Sequence, residues 1–369
     1  MFYLRFNVVA NQKFSATNVL KDATLTIAAF LSAVVLTASA VLMLRSSPFA
    51  KSSLDRPNHR SLHIQPTPRI GGVAMAFAVA ITIAILRPDG LPASLLVVAA
   101  CLAVTSLLDD RRNLPVVLRL ALQLAAATVA AIVWLYGSEG PVAPAMTNAW
   151  LMSPLGAVLM VLAICWMTNL FNFMDGANGL AGGMALIGFG AYAIAAATMP
   201  QGQAMTFIAA ALSGAALGFL FFNLPAAKIF MGDAGSIPIG FLAATLGIQG
   251  TLMGLWTWWF GLLVFSPFIV DATITLIKRL ARREKIWVAH REHYYQRLIL
   301  SGWSHRKTVC SYYLLMLGSA ISALAAQNGH LLYPTVTFWV ITYSTLLLYL
   351  EWRFHQHKKD NTEKDPGAK

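Results

Sequence analysis

Charge is what this 369-residue chain most lacks: Asp, Glu, Lys and Arg together make up 11% of it. Water-soluble domains carry about a quarter, so no polar exterior can be assembled here, and the two soluble domains that the length would otherwise suggest are excluded. Cysteine is almost absent. Cys101, Cys165 and Cys310 lie in apolar runs with no CxxC pair, which excludes a cysteine zinc site or redox motif and leaves small packing residues. Acids number only 15 against 27 Lys and Arg. What is abundant is apolar sequence, 57% of the chain. That composition excludes disorder, and the long unbroken runs exclude an alternating membrane barrel. The fold class is all-α, a polytopic integral membrane protein.

A span needs about 20 helical residues. Runs of that order lie near 23–44, 70–87, 92–108, 116–136, 154–172, 179–199, 204–224, 235–251, 254–277, 308–328 and 331–350, so about 10–11 helices are expected, the run at 235–251 being the weakest. Residues 1–22 are expected to be a retained polar tail, 23–350 the transmembrane catalytic region and 351–369 a charged cytoplasmic tail. Alternate loops hold all Lys and Arg except Arg5, Lys13, Lys21 and Arg87. The positive-inside rule puts those loops in the cytoplasm, with the N-terminus outside and the C-terminus inside. A basic face of this kind suits anionic headgroups and phosphorylated substrates rather than nucleic acid, for which no soluble domain exists.

The scarce acids mark the site. Asp109, Asp110, Asp175, Asp233 and Asp271 all fall at or near cytoplasmic span ends, where a carboxylate is costly unless it lines a polar cavity or binds a cation. Asp109 and Asp110 are adjacent in SLLDDRRNLP and point in different directions. In NLFNFMDGANGLAGG, Asn172, Asp175 and Asn178 recur every third residue, on one helical face if the helix persists. In FFNLPAAKIFMGDAGS, Asn223, Lys228, Phe230 and Asp233 precede a glycine and hydroxyl run suited to an anion. HREHYYQRLILSGW offers His290 and His293 beside Arg291 and Arg297 as phosphate contacts or proton carriers, and its spacing does not fit a zinc motif. DRPNHRSLHIQPTPRIGG adds His59, Arg60, His63 and Arg69. Asp271, deeper in its span, is expected to pair with a cation and to matter less for turnover.

Such a set suits Mg²⁺ held by one or two carboxylates and substrate phosphates, and phosphoryl transfer by positioning and charge neutralisation. A secondary transporter would place its acids at mid-span within repeated halves. An aromatic prenyltransferase would need a second Asp downstream of DDRRN. A non-catalytic lipid-binding scaffold would tolerate loss of Asp233.

In their order between about residues 55 and 305, DRPNHRSLHIQPTPRIGG, DDRRNLP, NFMDGANGLAGG, NLPAAKIFMGDAGS and HREHYYQRL resemble the polyprenyl-phosphate N-acetylhexosamine-1-phosphate transferases. That superfamily includes the bacterial initiators of O-antigen and the peptidoglycan phospho-MurNAc-pentapeptide transferase. The final loop lacks the His-His-His pattern of the peptidoglycan enzyme, which favours the O-antigen, GlcNAc-type branch. The resemblance implies transfer of a sugar-1-phosphate from a UDP-N-acetylhexosamine to undecaprenyl phosphate at the bacterial inner membrane, releasing UMP. It implies Asp233 as the principal Mg²⁺ ligand (Mn²⁺ substituting), Asp109 orienting the lipid phosphate, and Asp110 supporting it or the metal. Asn172, Asp175 and Asn223 would shape the nucleotide pocket, Phe230 would stack on uracil, and His293 with His290 would hold phosphate or pass a proton. Asn178 stands where several members have an acid, so it would read the nucleotide. Asn113 stands where some have Lys, so Arg111 or Arg112 would supply that charge. A homodimer is the assembly considered.

Overall fold

Alanine and leucine fill the apolar runs, and in a bilayer each run must satisfy its own backbone hydrogen bonds, so helices are the only economical solution. The computed structural model describes residues 16–57, 65–112, 114–136, 150–224, 226–288, 290–327 and 331–364, and among them only a two-stranded ribbon departs from helix. In chain order the helices are α1 (Ala16–Arg45), α2 (Pro48–Ser52), α3 (Gly71–Leu86), α4 (Ala93–Arg112), α5 (Val116–Tyr136), α6 (Pro154–Phe173), α7 (Leu180–Ala197), α8 (Gln203–Asn223), α9 (Asp233–Leu252), α10 (Trp259–Val264), α11 (Ser266–Ala281), α12 (Tyr294–Leu300), α13 (His305–Ala326) and α14 (Leu332–Lys364). Between α2 and α3, β1 (Leu54–Asp55) pairs antiparallel with β2 (Thr67–Pro68). The chain is an all-α polytopic membrane protein: α1, α4–α9 and α13 are eight helices long and apolar enough to cross a bilayer.

One expected span changes, and three other segments gain detail. The tail drawn as 1–22 already enters α1 at Ala16, and the tail drawn as 351–369 is still α14 as far as Lys364. The run at 254–277 is not one helix. It breaks at Phe265 into α10 and α11, where Pro267 in the first turn of α11 has no amide to continue the helix before it. The run at 235–251, weakest by composition, is a complete helix and the most enclosed of the eight spans. Its glycines and hydroxyls lower its hydropathy because it faces protein rather than lipid.

That helix, α9, is the axis on which the site is built, packing against α6, α4 and α3. A Cβ on Gly72 would sit 2.3 Å from the Gly235 backbone, so the starts of α3 and α9 touch main chain to main chain. Around this centre, α1, α4 and α5 expose residues such as Ile27, Val35, Val97 and Leu124, the lipid-facing side of a bundle.

Candidate active site

The contact between α3 and α9 is laid down by the chain on either side of it. Phe230 donates its amide to the Pro68 carbonyl at 2.9 Å, and Gly71 and Gly72 donate to the carbonyls of Phe230 and Met231, each at 2.9 Å. This short ladder places Arg69 beside Gly232, the residue before α9. The Arg69 guanidinium then spans two acids, donating to Asp55 at 2.7 Å and to Asp110 at 3.0 Å. Asp110 arrives on the last turn of α4.

Its neighbour Asp109 is buried and points elsewhere. One oxygen accepts from the Leu114 amide at 2.7 Å and the other from Arg119 at 3.1 Å. Arg119, in the first turn of α5, also lies 3.9 Å from Asp233. Asn172, at the end of α6, donates to Asp233 at 2.8 Å and to the Ser236 hydroxyl at 3.0 Å. Three helices, α4, α6 and α9, thus deliver Asp109, Asp110, Asn172 and Asp233, with Arg69 and Arg119 between them.

Asp175 occupies the turn between α6 and α7 and is half-buried. Burial, followed by the charges of Asp233 and Asp110, pushes its carboxyl well above the usual carboxylate range. Negative charge is therefore in excess here. The surplus has a definite outlet: Oδ2 of Asp110 is buried and has no hydrogen-bond partner, and a Cβ on Gly232 would come within 3.2 Å of it. An unsatisfied buried carboxylate oxygen beside a second carboxylate fits a hard cation. Among the described residues no three His, Cys, Asp or Glu side chains converge as ligands. Asp110 and Asp233 are the carboxylates that could hold such a cation, and Mg²⁺ is one that takes one or two carboxylates and completes its shell with water and phosphate.

The histidines form a second wall. The His293 ring stacks on Phe173 at 5.9 Å and on Tyr295 at 6.1 Å, with His290 4.8 Å away. The Tyr295 hydroxyl donates to the Phe173 carbonyl at 3.0 Å, which locks α12 against the turn carrying Asp175. Beneath lies Asp271, fully buried, accepting from the amides of Tyr294 at 2.8 Å and Tyr295 at 3.1 Å and from the Tyr312 hydroxyl. His293 Nδ1 faces it from 3.5 Å. Asp271, expected to pair with a nearby cation, faces His293 and in addition accepts from the amides that open α12. Burial first, then His293 and Arg279, depress the His290 imidazole to about 4, so it is neutral at physiological pH. The loop bearing it is fastened by ion pairs of Glu292 with Arg279 and Arg282.

The structure brings together Arg69, Asp109, Asp110, Asn172, Asp175 and Asp233, with Phe230 half-buried in the ladder beside Arg69. Asn223 is not among the residues joined in this set. That amide is buried, accepting from the Gly179 amide and donating to the Ile229 carbonyl at 2.8 Å. It brackets two loops because both its polar ends are spent on main chain. Both oxygens of Asp109 are engaged, one by the Leu114 amide and the other by Arg119, which it holds in place. Asn178 is half-buried in the turn before α7, while Arg112 and Arg291 are exposed and make no contact with the carboxylates. His59, Arg60, His63 and Asn113, and the side chain of Arg111, lie outside the described residues. Sequence reasoning missed Arg119 and Asp55 as site residues. For Arg119 a signal existed, a single charge three residues inside an apolar run.

Residues 92–251, which carry Asp109, Asp110, Asp175 and Asp233, match glycosyl transferase family 4. The chain is 27% identical over 303 residues to a protein of Bacillus subtilis named as a probable undecaprenyl-phosphate N-acetylglucosaminyl 1-phosphate transferase, covering 81% of this chain and 82% of that one. It is 29% identical to the decaprenyl-phosphate N-acetylglucosaminephosphotransferase of Mycobacterium leprae, over 70% and 73% of the two chains. With the phospho-N-acetylmuramoyl-pentapeptide-transferase of Moorella thermoacetica it shares 32% identity over 70% of this chain and 83% of the relative. Sequence likeness along most of the chain and the clustering of the motif carboxylates lead to one assignment: the chain belongs to the polyprenyl-phosphate hexosamine-1-phosphate transferases of glycosyl transferase family 4.

Proposed function

We propose that the protein transfers an N-acetylhexosamine-1-phosphate from a UDP-sugar to undecaprenyl phosphate at the bacterial inner membrane. The products are undecaprenyl-pyrophosphoryl-sugar and UMP, and the reaction begins O-antigen or another envelope polysaccharide. The names of the relatives support the reaction class, and the divergent HREHYYQRL loop supports the GlcNAc-type branch. The observation that carries the reading is the unpartnered Asp110 oxygen facing Gly232 beside Asp233.

Asp233 and Asp110 are the residues that would hold Mg²⁺ or Mn²⁺, which when bound supplies neutralisation of phosphate charge. An oxygen of the lipid phosphate attacks the β-phosphorus of the donor. The bond from that phosphorus to the bridging oxygen breaks, and UMP leaves with the oxygen. A phosphate monoester ionises near pH 6 and needs no base at neutral pH. Asp109, with both oxygens engaged, is therefore free to serve as the anchor of Arg119 rather than as a proton acceptor. Arg119 and Arg69, each fixed by acids on one side, present cationic edges to the reacting phosphates. Asn172 fixes the Asp233 rotamer. Phe230 offers a stacking face for uracil, and His293, its Nδ1 turned to Asp271, keeps its other nitrogen for phosphate.

Purified protein with undecaprenyl phosphate and Mg²⁺, given UDP-GlcNAc and then UDP-linked 6-deoxy relatives such as FucNAc or QuiNAc, is expected to release UMP with one of them. No UMP from any donor, or sugar uptake by proteoliposomes instead, overturns the reading. Direct attack further requires that UDP-sugar alone give no burst of UMP; a burst would demand an aspartyl intermediate.

A further inference from the structure

Away from the carboxylates, a cavity of about 270 Å³ opens between α11, α12, α13 and α14. Asp271 and Tyr294 stand in its wall, and none of Asp109, Asp110 and Asp233 lines it. Most of the rest is aliphatic, with Leu314, Leu346 and Leu350 among the lining residues. From Tyr343 to Leu350 it follows α14 for roughly 10 Å at the helical rise, a slot for a length of acyl chain.

Trp303 is among the lining residues. Lys307 lies 4.2 Å and Arg353 5.0 Å from the centre of that indole, so the two cations sit within about one Debye length of each other. Nearby Lys278 and Arg297 share Glu351 at 2.7 Å. Among the described residues, no carboxylate lies within ion-pair distance of Lys307 or Arg353. Two neighbouring positive charges over a residue that lines an apolar slot, on the basic face of a membrane protein, repel each other until an anion joins them. An aromatic residue at the same level is typical of the headgroup region.

We propose that this cavity binds an anionic glycerophospholipid of the cytoplasmic leaflet, with its phosphate between Lys307 and Arg353 and one acyl chain along α14. The prenyl substrate is the wrong occupant, because its phosphate must reach Asp110 and Asp233, neither of which lines the cavity. The bound lipid steadies α12, since Tyr294 and Leu298 of that helix line the cavity, and so steadies His293.

The test uses the full chain in detergent and in nanodiscs, and it does not depend on turnover. Native mass spectrometry is expected to show one phosphatidylglycerol retained in preference to phosphatidylcholine. The double substitution K307Q/R353Q lowers that apparent affinity roughly 30-fold, at about fivefold for each cation beside an anionic surface. Leu347→Trp fills the slot and abolishes retention with both charges in place. Phosphatidylglycerol slows hydrogen exchange across residues 293–300 in the parent protein and not in either variant. Equal retention of the two lipids, unchanged phosphatidylglycerol binding in the double variant, or its displacement by equimolar undecaprenyl phosphate overturns the proposal.

Discussion

Gly232 shows how far one residue decides the site. Its φ of 72° lies in the left-handed region, and a Cβ there would press on Arg69 at 3.1 Å and on the unpartnered Asp110 oxygen at 3.2 Å. Gly232→Ala is expected to leave the bundle folded while cutting kcat by about 100-fold, the scale on which an ångström of misplacement is felt in transfer chemistry. Steady-state UMP release beside a melting curve checks it. Asp271 answers to a different measurement. Replacing it by Asn turns one of its two acceptor oxygens into an N–H group, so that either the Tyr294 or the Tyr295 amide loses its acceptor. The buried site would lose about 3 kcal/mol of charged hydrogen bonding, so the melting temperature should drop by several degrees before any effect on turnover is counted. A normal melting temperature with normal turnover would restore the expected minor role. Both cases mark where the sequence stops being legible. Carboxylates at span ends were visible because they are expensive in a membrane. Their partners were not, because Arg119, Asp55 and the α12 amides meet them only once distant segments have packed.

At the scale of the element, most helices could be read from apolar length, and the exceptions have local causes. Pro267 divides a run that composition makes continuous, and α9 looks too polar for a span because its small and hydroxyl residues are buried against other helices. The loop before α12 was legible as basic, yet not as a clasp, since the pairing of Glu292 with Arg279 and Arg282 spans more than ten residues at its widest. This clasp carries a pH signature. His290 is held neutral with its folded value depressed to about 4, below the roughly 6.5 of an unfolded chain. The unfolded state therefore takes up the proton first, and the stability of the closed loop is fully present above about pH 6.5 and lost as pH falls toward 4. Hydrogen exchange over residues 290–297 is expected to accelerate across that window, and His290→Asn to remove the acceleration. Exchange that stays flat in the parent protein would sink the assignment.

Over the whole molecule, the contacts of the site test the topology that charge alone suggested. Asp55 follows α1 and α2, Arg69 precedes α3 and Asp110 lies in the last turn of α4, and Arg69 joins the two acids. Arg119 opens α5, Asn172 ends α6 and Asp233 opens α9, and these are joined in a second set that includes Asp109, the neighbour of Asp110. Alternate helix ends therefore share one face of the bundle, as consecutive crossings demand, and the long connection between α11 and α12 reaches the same face through Tyr295 and Phe173. That face carries nearly all the Lys and Arg, so one orientation satisfies the charge rule and the catalytic geometry together. The loop between α3 and α4, with Asp89, must then lie across the membrane from the loop bearing Arg283. In a variant with Cys101, Cys165 and Cys310 replaced by alanine, Asp89→Cys should react with an impermeant maleimide in intact spheroplasts, and Arg283→Cys only after permeabilisation. The reverse pattern would turn the carboxylates outward, where no UDP-sugar is made, and with them the proposed reaction would fall.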